Sequence, residues 1–160
     1  MLKLIYFDAM ISEERQFESE HPAKRDGLRC FLWASLHCPM ALAMVVMGAG
    51  VSSGFSDLNM TVLQCDAHNY CIVVFLASSG GIFWLYDNKR TKAKRLRVGS
   101  RMVAAAVIAA YAEWLHWGYF IAKGNISLHK YVNTCLYAPI LVGVGCVVLC
   151  DVYISTLAVA

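Results

Sequence analysis

An all-α, polytopic integral membrane protein is what this sequence predicts, and three observations carry the prediction. Four long apolar stretches divide the chain: Leu28–Val51, Tyr70–Tyr86, Met102–Ala122 and Cys135–Ala160. A helix needs ~20 apolar residues to cross a ~30 Å hydrocarbon core, a length that all but the second stretch reach. The 160 residues are 59% hydrophobic and 16% charged, where a soluble domain averages ~45–50% and ~25%. The cationic residues, finally, lie almost all on one side of the apolar stretches. Backbone groups in lipid must be paired within their own segment or in a closed barrel, and continuous rather than alternating runs exclude the barrel.

Charge placement sets the expected topology. Of fourteen Lys and Arg, Lys3, Arg15, Lys24, Arg25 and Arg29 precede or begin the first span. Lys89, Arg90, Lys92, Lys94, Arg95, Arg97 and Arg101 separate the second from the third, and Lys123 and Lys130 lie on the opposite side. Lys and Arg near span ends stay in the cytoplasm, so the N-terminus, the basic connector and, after four crossings, the C-terminus are expected there. Residues 1–27 form a cytoplasmic or interfacial segment and residues 28–160 a four-helix transmembrane domain. No signal peptide is expected, because the apolar Met1–Phe7 is too short and is followed by Asp8, Glu13 and Glu14.

Within the N-terminal segment, Leu2, Leu4, Ile5, Tyr6, Phe7, Met10 and Ile11 form an apolar patch. It reads either as an interfacial helix or as the remnant of a further span. The first span holds Trp33, His37 and Pro39, and the proline removes one intrahelical hydrogen bond, so a kink is expected. Ser52–Asn69 reads as a polar loop on the outer side. The second span centres on Ala77-Ser78-Ser79-Gly80-Gly81, and the third carries Ala105, Ala106, Ala109 and Ala110. Gly143 and Gly145 give the fourth the same character. Small residues let helices approach closely in lipid, so packing within the bundle and homo- or hetero-oligomer contacts are both expected of them.

Ionisable groups at lipid depth cost ~2.5–3.5 kcal/mol on insertion scales and mark functional sites or interhelical ties. His37 and Glu113 are the two that fall well inside apolar runs, and His116 stands at i+3 from Glu113 on the same helix face. A carboxylate with a histidine at that spacing suits proton or ion handling. A neutral carboxyl hydrogen-bonded to the next helix is the plainer alternative. Asp151 is expected at the inner interface. Cys65, Cys71 and Cys135 cluster near the outer side, where one disulfide would be possible in an oxidising compartment. No C-x-x-C pair is present and no catalytic motif appears. His68 beside Cys65 and Cys71 suggests a metal cluster on paper, but a metal needs three or four converging ligands, so no metal is expected. Neither enzyme nor cofactor is expected. The run Lys89, Arg90, Lys92, Lys94, Arg95 and Arg97 is expected to hold its connector in the cytoplasm and to contact anionic lipid. A nucleic-acid role does not suit a segment tethered between two spans.

Two segments carry a resemblance to a known family. Tyr6-Phe7-Asp8 is followed by a charged stretch and then by Leu32-Trp33-Ala34-Ser35-Leu36-His37-Cys38-Pro39. This resembles the low-temperature-requirement A (LtrA-like) membrane proteins, in which a Y-F-D segment ends one span and W-x-x-x-H-x-P opens the next. The match covers residues 4–50. It nominates Asp8, Trp33, His37 and Pro39, and implies a polytopic helical protein linked to growth in the cold, without a biochemical activity to carry over. Family members are longer, so the chain would correspond to a C-terminal portion, as a fragment or a shortened relative. Two functions follow as expectations: a transporter-like bundle using His37 and Glu113, or a non-catalytic accessory subunit packed through its small-residue faces.

Overall fold

The computed structural model describes residues 26–56, 62–86, 92–122, 138 and 140–157. The described residues are helical, with no strand among them. Helix α1 spans Gly27–Ser56, α2 Val62–Leu85 and α3 Lys92–Ala122. A single π turn, Ile140–Val144, leads into α4, Gly145–Leu157. Three stretches are long and apolar enough to cross a membrane: Gly27–Gly50, Leu63–Leu85 and Arg95–Trp117. The fourth, Leu141–Tyr153, is apolar but shorter. The apolar N-terminal patch, Asp8, and most of the connector between α3 and the π turn lie outside the described residues.

Helix α1 starts where the sequence supplies a cap. The Asp26 carboxylate accepts the Leu28 backbone N–H at 3.3 Å, satisfying one of the orphan donors of the first turn. Pro39 falls inside α1, which continues past it to Ser56. Helix α2 starts well before the Tyr70 at which its apolar run begins, absorbing Gln64, Asp66, His68 and Asn69 from the expected loop. Asp66, His68 and Asn69 are turned inward while Gln64 is exposed, so average hydropathy understates how well the segment sits in the bundle. Helix α3 likewise begins inside the basic connector.

Consecutive helices pack antiparallel. Gly50 near the end of α1 meets His68 near the start of α2, while Gly81 late in α2 meets Leu36 early in α1. Gly80 meets Arg101 and Met102 early in α3, and Gly143 meets Ile108. Helix α2 is the centre: 61% of its apolar stretch is buried, against 17% for α1 and 28% for α3. The core joins Met40 and Met47 of α1, Ile72, Phe75, Leu76 and Ile82 of α2, Ala105 and Ile108 of α3, and Val144 and Val147.

Small residues decide where the helices touch. A β-carbon on residue 143 would collide with the Ile108 side chain, so glycine lets the π turn sit this close to α3 without moving that side chain. Ser78, Ser79 and Gly80 are buried, and Ser79 returns its hydroxyl to the Leu76 carbonyl at 2.9 Å. The small cluster of α2 thus serves contacts within the chain. On α3, Ala104 and Ala105 are buried whereas Ala106 and Ala110 are exposed. The outward faces carry Phe31, Leu42 and Val45 on α1, Val103, Val107 and Trp114 on α3, and Leu149, Val152 and Tyr153 on α4. Contiguous exposed apolar surface of this kind suits contact with lipid tails.

Candidate functional site

The polar side chains gather at two levels of the bundle, one toward each end. At the first level, α2 and α3 are joined twice. Asp66 and Tyr70 are one turn apart on α2, and Glu113 and His116 three residues apart on α3, so each pair shares a helix face. His116 Nδ1 donates to Asp66 Oδ2 at 2.9 Å. The Tyr70 hydroxyl donates to the Glu113 carboxylate. Asp66 is mostly buried, with 14% of its side chain exposed, while the His116 side chain is 42% exposed.

Two further polar residues of α2 stand beside these and are fully enclosed. His68 and Asn69 are 1% and 0% exposed. Among the described residues neither ring nitrogen of His68 has a hydrogen-bond partner, and neither does the side-chain amide of Asn69. Gly50 makes room for His68, since a β-carbon there would lie 2.8 Å from Nδ1. An unsatisfied buried polar group costs ~1–3 kcal/mol, so this part of the bundle carries a penalty that the apolar core offsets.

The second level is built around Arg101. Its side chain is fully buried, a rare state for arginine, and its surroundings explain it. Nη2 donates to Asp151 Oδ2 at 2.6 Å and Nη1 to Oδ1 at 3.3 Å, a two-point fork joining α3 to α4. Nη1 also donates to the Arg97 carbonyl at 3.1 Å. The guanidinium carbon lies 4.3 Å from the centroid of the Phe83 ring, a cation–π contact reaching α2. Arg97 Nε approaches Asp151 Oδ1 at 3.9 Å. One arginine therefore touches three helices.

The expected site residues separate. Glu113 and His116 share one polar cluster, although each bonds to α2 and not to the other. Glu113 sits not at the middle of its span but four residues before the end of the apolar stretch Arg95–Trp117, because α3 begins earlier than its apolar run. His37 belongs elsewhere. Leu36, beside it, packs against Gly81, whereas Glu113 meets Tyr70. Eleven residues of α2 separate those levels, about 16 Å at 1.5 Å per residue. His37 and Glu113 therefore do not form one site.

His37 instead closes a local motif. Its Nδ1–H donates to the Trp33 carbonyl at 2.7 Å, and its ring centroid lies 4.3 Å from that of Trp33. The W-x-x-x-H spacing is thus an i, i+4 contact on α1, with Pro39 half-buried on the same helix. In the basic connector, Lys89 and Arg90 lie outside the described residues. Lys92, Lys94 and Arg95 belong to α3, and Arg95 is exposed. Arg97 departs from its expected lipid contact: its side chain is 12% exposed and turned toward Asp151, whose charge draws it inward.

Among the described residues no three His, Cys, Asp or Glu side chains converge as metal ligands. Cys65 is buried and Cys71 half-buried, both as thiols, while Cys135 lies outside the described residues. Sequence reasoning did not single out Arg101, Asp66, Tyr70 or Asn69. The i, i+4 spacing of Asp66 and Tyr70 was an available signal, and so was a basic residue opening one span with an acidic one late in the next. Comparison with protein-family models, with curated proteins and with solved structures finds no match to this chain.

Proposed function

We propose that this chain is a four-span membrane protein with both termini on the cytoplasmic side. In this reading it acts as a non-catalytic structural or accessory subunit whose polar side chains tie its helices together. The observation that carries the proposal is the buried, two-point Arg101–Asp151 pair. Arg101 and Glu113 are twelve residues apart, about 18 Å along α3, which is less than the ~30 Å hydrocarbon thickness. A spanning α3 must then hold at least one of them in lipid. Arg101 is the enclosed one and Glu113 the exposed one, so the least costly position puts Glu113 at the outer boundary and Arg101 inside.

The same position brings the other helices into register. Twenty residues back from Glu113, the inner boundary falls near residue 93, among Lys92, Lys94 and Arg95, where anionic lipid headgroups would meet them. Arg101 then lies about 12 Å inside. Asp151 shares its level, so a fourth crossing would run from about residue 139 to about residue 159, close to the apolar stretch at the end of the chain. Tyr70 shares the level of Glu113, which leaves Asp66 and His116 on the wet side.

Trp33, His37 and Pro39 support kinship with LtrA-like proteins, with Trp33 and His37 packed on one another. A transporter-like reading has one observation in its favour: His68 and Asn69 are buried without partners among the described residues, beside the Tyr70–Glu113 contact. Flux measurements in reconstituted vesicles separate the two. The subunit reading expects native protein, Glu113→Gln and His37→Ala all to match empty vesicles for protons and monovalent cations. Flux by native protein that a folded Glu113→Gln loses would overturn it in favour of transport.

A further inference from the structure

We propose that the groove between α3 and the π turn is a seat for one acyl chain of an outer-leaflet phospholipid. It is a cavity of about 100 Å³ lined by Val107, Ile108, Tyr111, Ala138, Val142 and Gly143. The close approach of Gly143 to the Ile108 side chain forms its wall. Val107 and Val142 form its rim, for both line the cavity and both are exposed, at 54% and 60%. The groove therefore opens onto the outward apolar faces that continue through Val103 and Trp114 on α3 and Leu149 on α4.

Size and chemistry select the occupant. An α-helix with its side chains is ~10–12 Å across, too wide for this space, so a helix from a second copy does not enter it. Apart from Tyr111 the lining is aliphatic or glycine, and apolar cavities stay dry. A single alkyl chain is both narrow enough and apolar enough. Depth agrees, given Glu113 at the outer boundary, the reading on which this seat rests. Tyr111 and Val107 precede Glu113 by two and six residues, so they lie about 3 and 9 Å inside the hydrocarbon. Trp114 stands above them, exposed, with its ring 6.1 Å from that of Tyr111. Aromatics with a polar edge favour the headgroup level. A tail descending from an outer-leaflet headgroup thus passes Trp114 and Tyr111 before it reaches Val107. Bulk lipid is as apolar as the groove, so the preference comes from packing contacts alone and is modest.

Photocrosslinking tests the seat. The full chain is reconstituted in phosphatidylcholine vesicles that contain phosphatidylcholine with a diazirine in the upper half of one acyl chain. After illumination, peptide mass spectrometry compares labelling at Tyr111 with labelling at Val45, on the exposed face of α1 five residues before Gly50. Val107→Phe and Val142→Phe each put a ring at the rim, and either serves if the other does not fold. The Tyr111-to-Val45 ratio in native protein is expected to be about three times that in a folded variant, as a handful of extra dispersion contacts provides. A ratio that the folded variants leave unchanged would overturn the seat and leave the membrane reading standing. Absence of labelling at both Tyr111 and Val45 in native protein would overturn the two together.

Discussion

Asp151→Asn and Arg101→Met are each expected to destabilise the bundle by about 3–5 kcal/mol, the cost of leaving one member of a buried ion pair uncompensated. Arg101 is fully enclosed, so no solvent reaches the guanidinium once its carboxylate is gone. The double variant Arg101→Met with Asp151→Leu is expected to recover most of the loss, because two well-packed apolar side chains replace a pair whose desolvation is itself costly. Arg101→Lys is expected to fall between them: the charge stays but the two-point fork is lost. Reversible unfolding in mixed detergent micelles measures all four. Single variants that cost less than about 1 kcal/mol would place the pair among solvent-screened ion pairs and remove its role as a tie.

The second large effect separates the inside of the bundle from its lipid-facing side. Phe75→Ala is expected to cost about 2 kcal/mol, and Phe31→Ala no more than about 0.5 kcal/mol. Phe75 is 0% exposed at the centre of α2, whereas Phe31 on α1 is 66% exposed. The expected cost at Phe75 is smaller than in a water-soluble core. Helices that separate within a bilayer remain in an apolar medium, so the transfer contribution is small and lost packing dominates. The same unfolding measurement compares the two. Equal effects would mean that the exposed face of α1 is covered by something other than lipid.

How far the sequence could be read depended on whether a signal was local. Helix α1 was legible at its start, since the apolar run from Leu28 begins within one residue of the helix, although the helix extends past the run to Ser56. Helix α2 was read too short. Gln64, Asp66, His68 and Asn69 lower its average hydropathy, yet Asp66 meets α3, and His68 and Asn69 are enclosed. Only the identity of the neighbouring helix explains why a segment with those residues remains helical. Glu113 and His116 were found because a carboxylate within an apolar run is costly wherever it points. Their partners were not, since Asp66 lies fifty residues from His116 and Tyr70 reads equally well as an aromatic anchor at a span end. Arg101 looked like the last member of a basic connector. Its enclosure follows from the antiparallel packing of α3 and α4, which brings Asp151 to its level. Single-chain hydropathy carries no such pairing.

Side-specific labelling tests the central claim most directly: apolar helices cross a bilayer with the N-terminal segment and the basic 87–101 connector on one side and the connector carrying Lys123 and Lys130 on the other. Lys94→Cys and Lys130→Cys, each in a chain lacking other cysteines, are exposed to a membrane-impermeant maleimide in intact cells and again after permeabilisation. Position 130 is expected to label in intact cells, and position 94 only once the membrane is opened. Labelling of position 94 from outside, or equal labelling of both positions in intact cells, would contradict the topology and with it the placement of Arg101 and Asp151 inside the membrane.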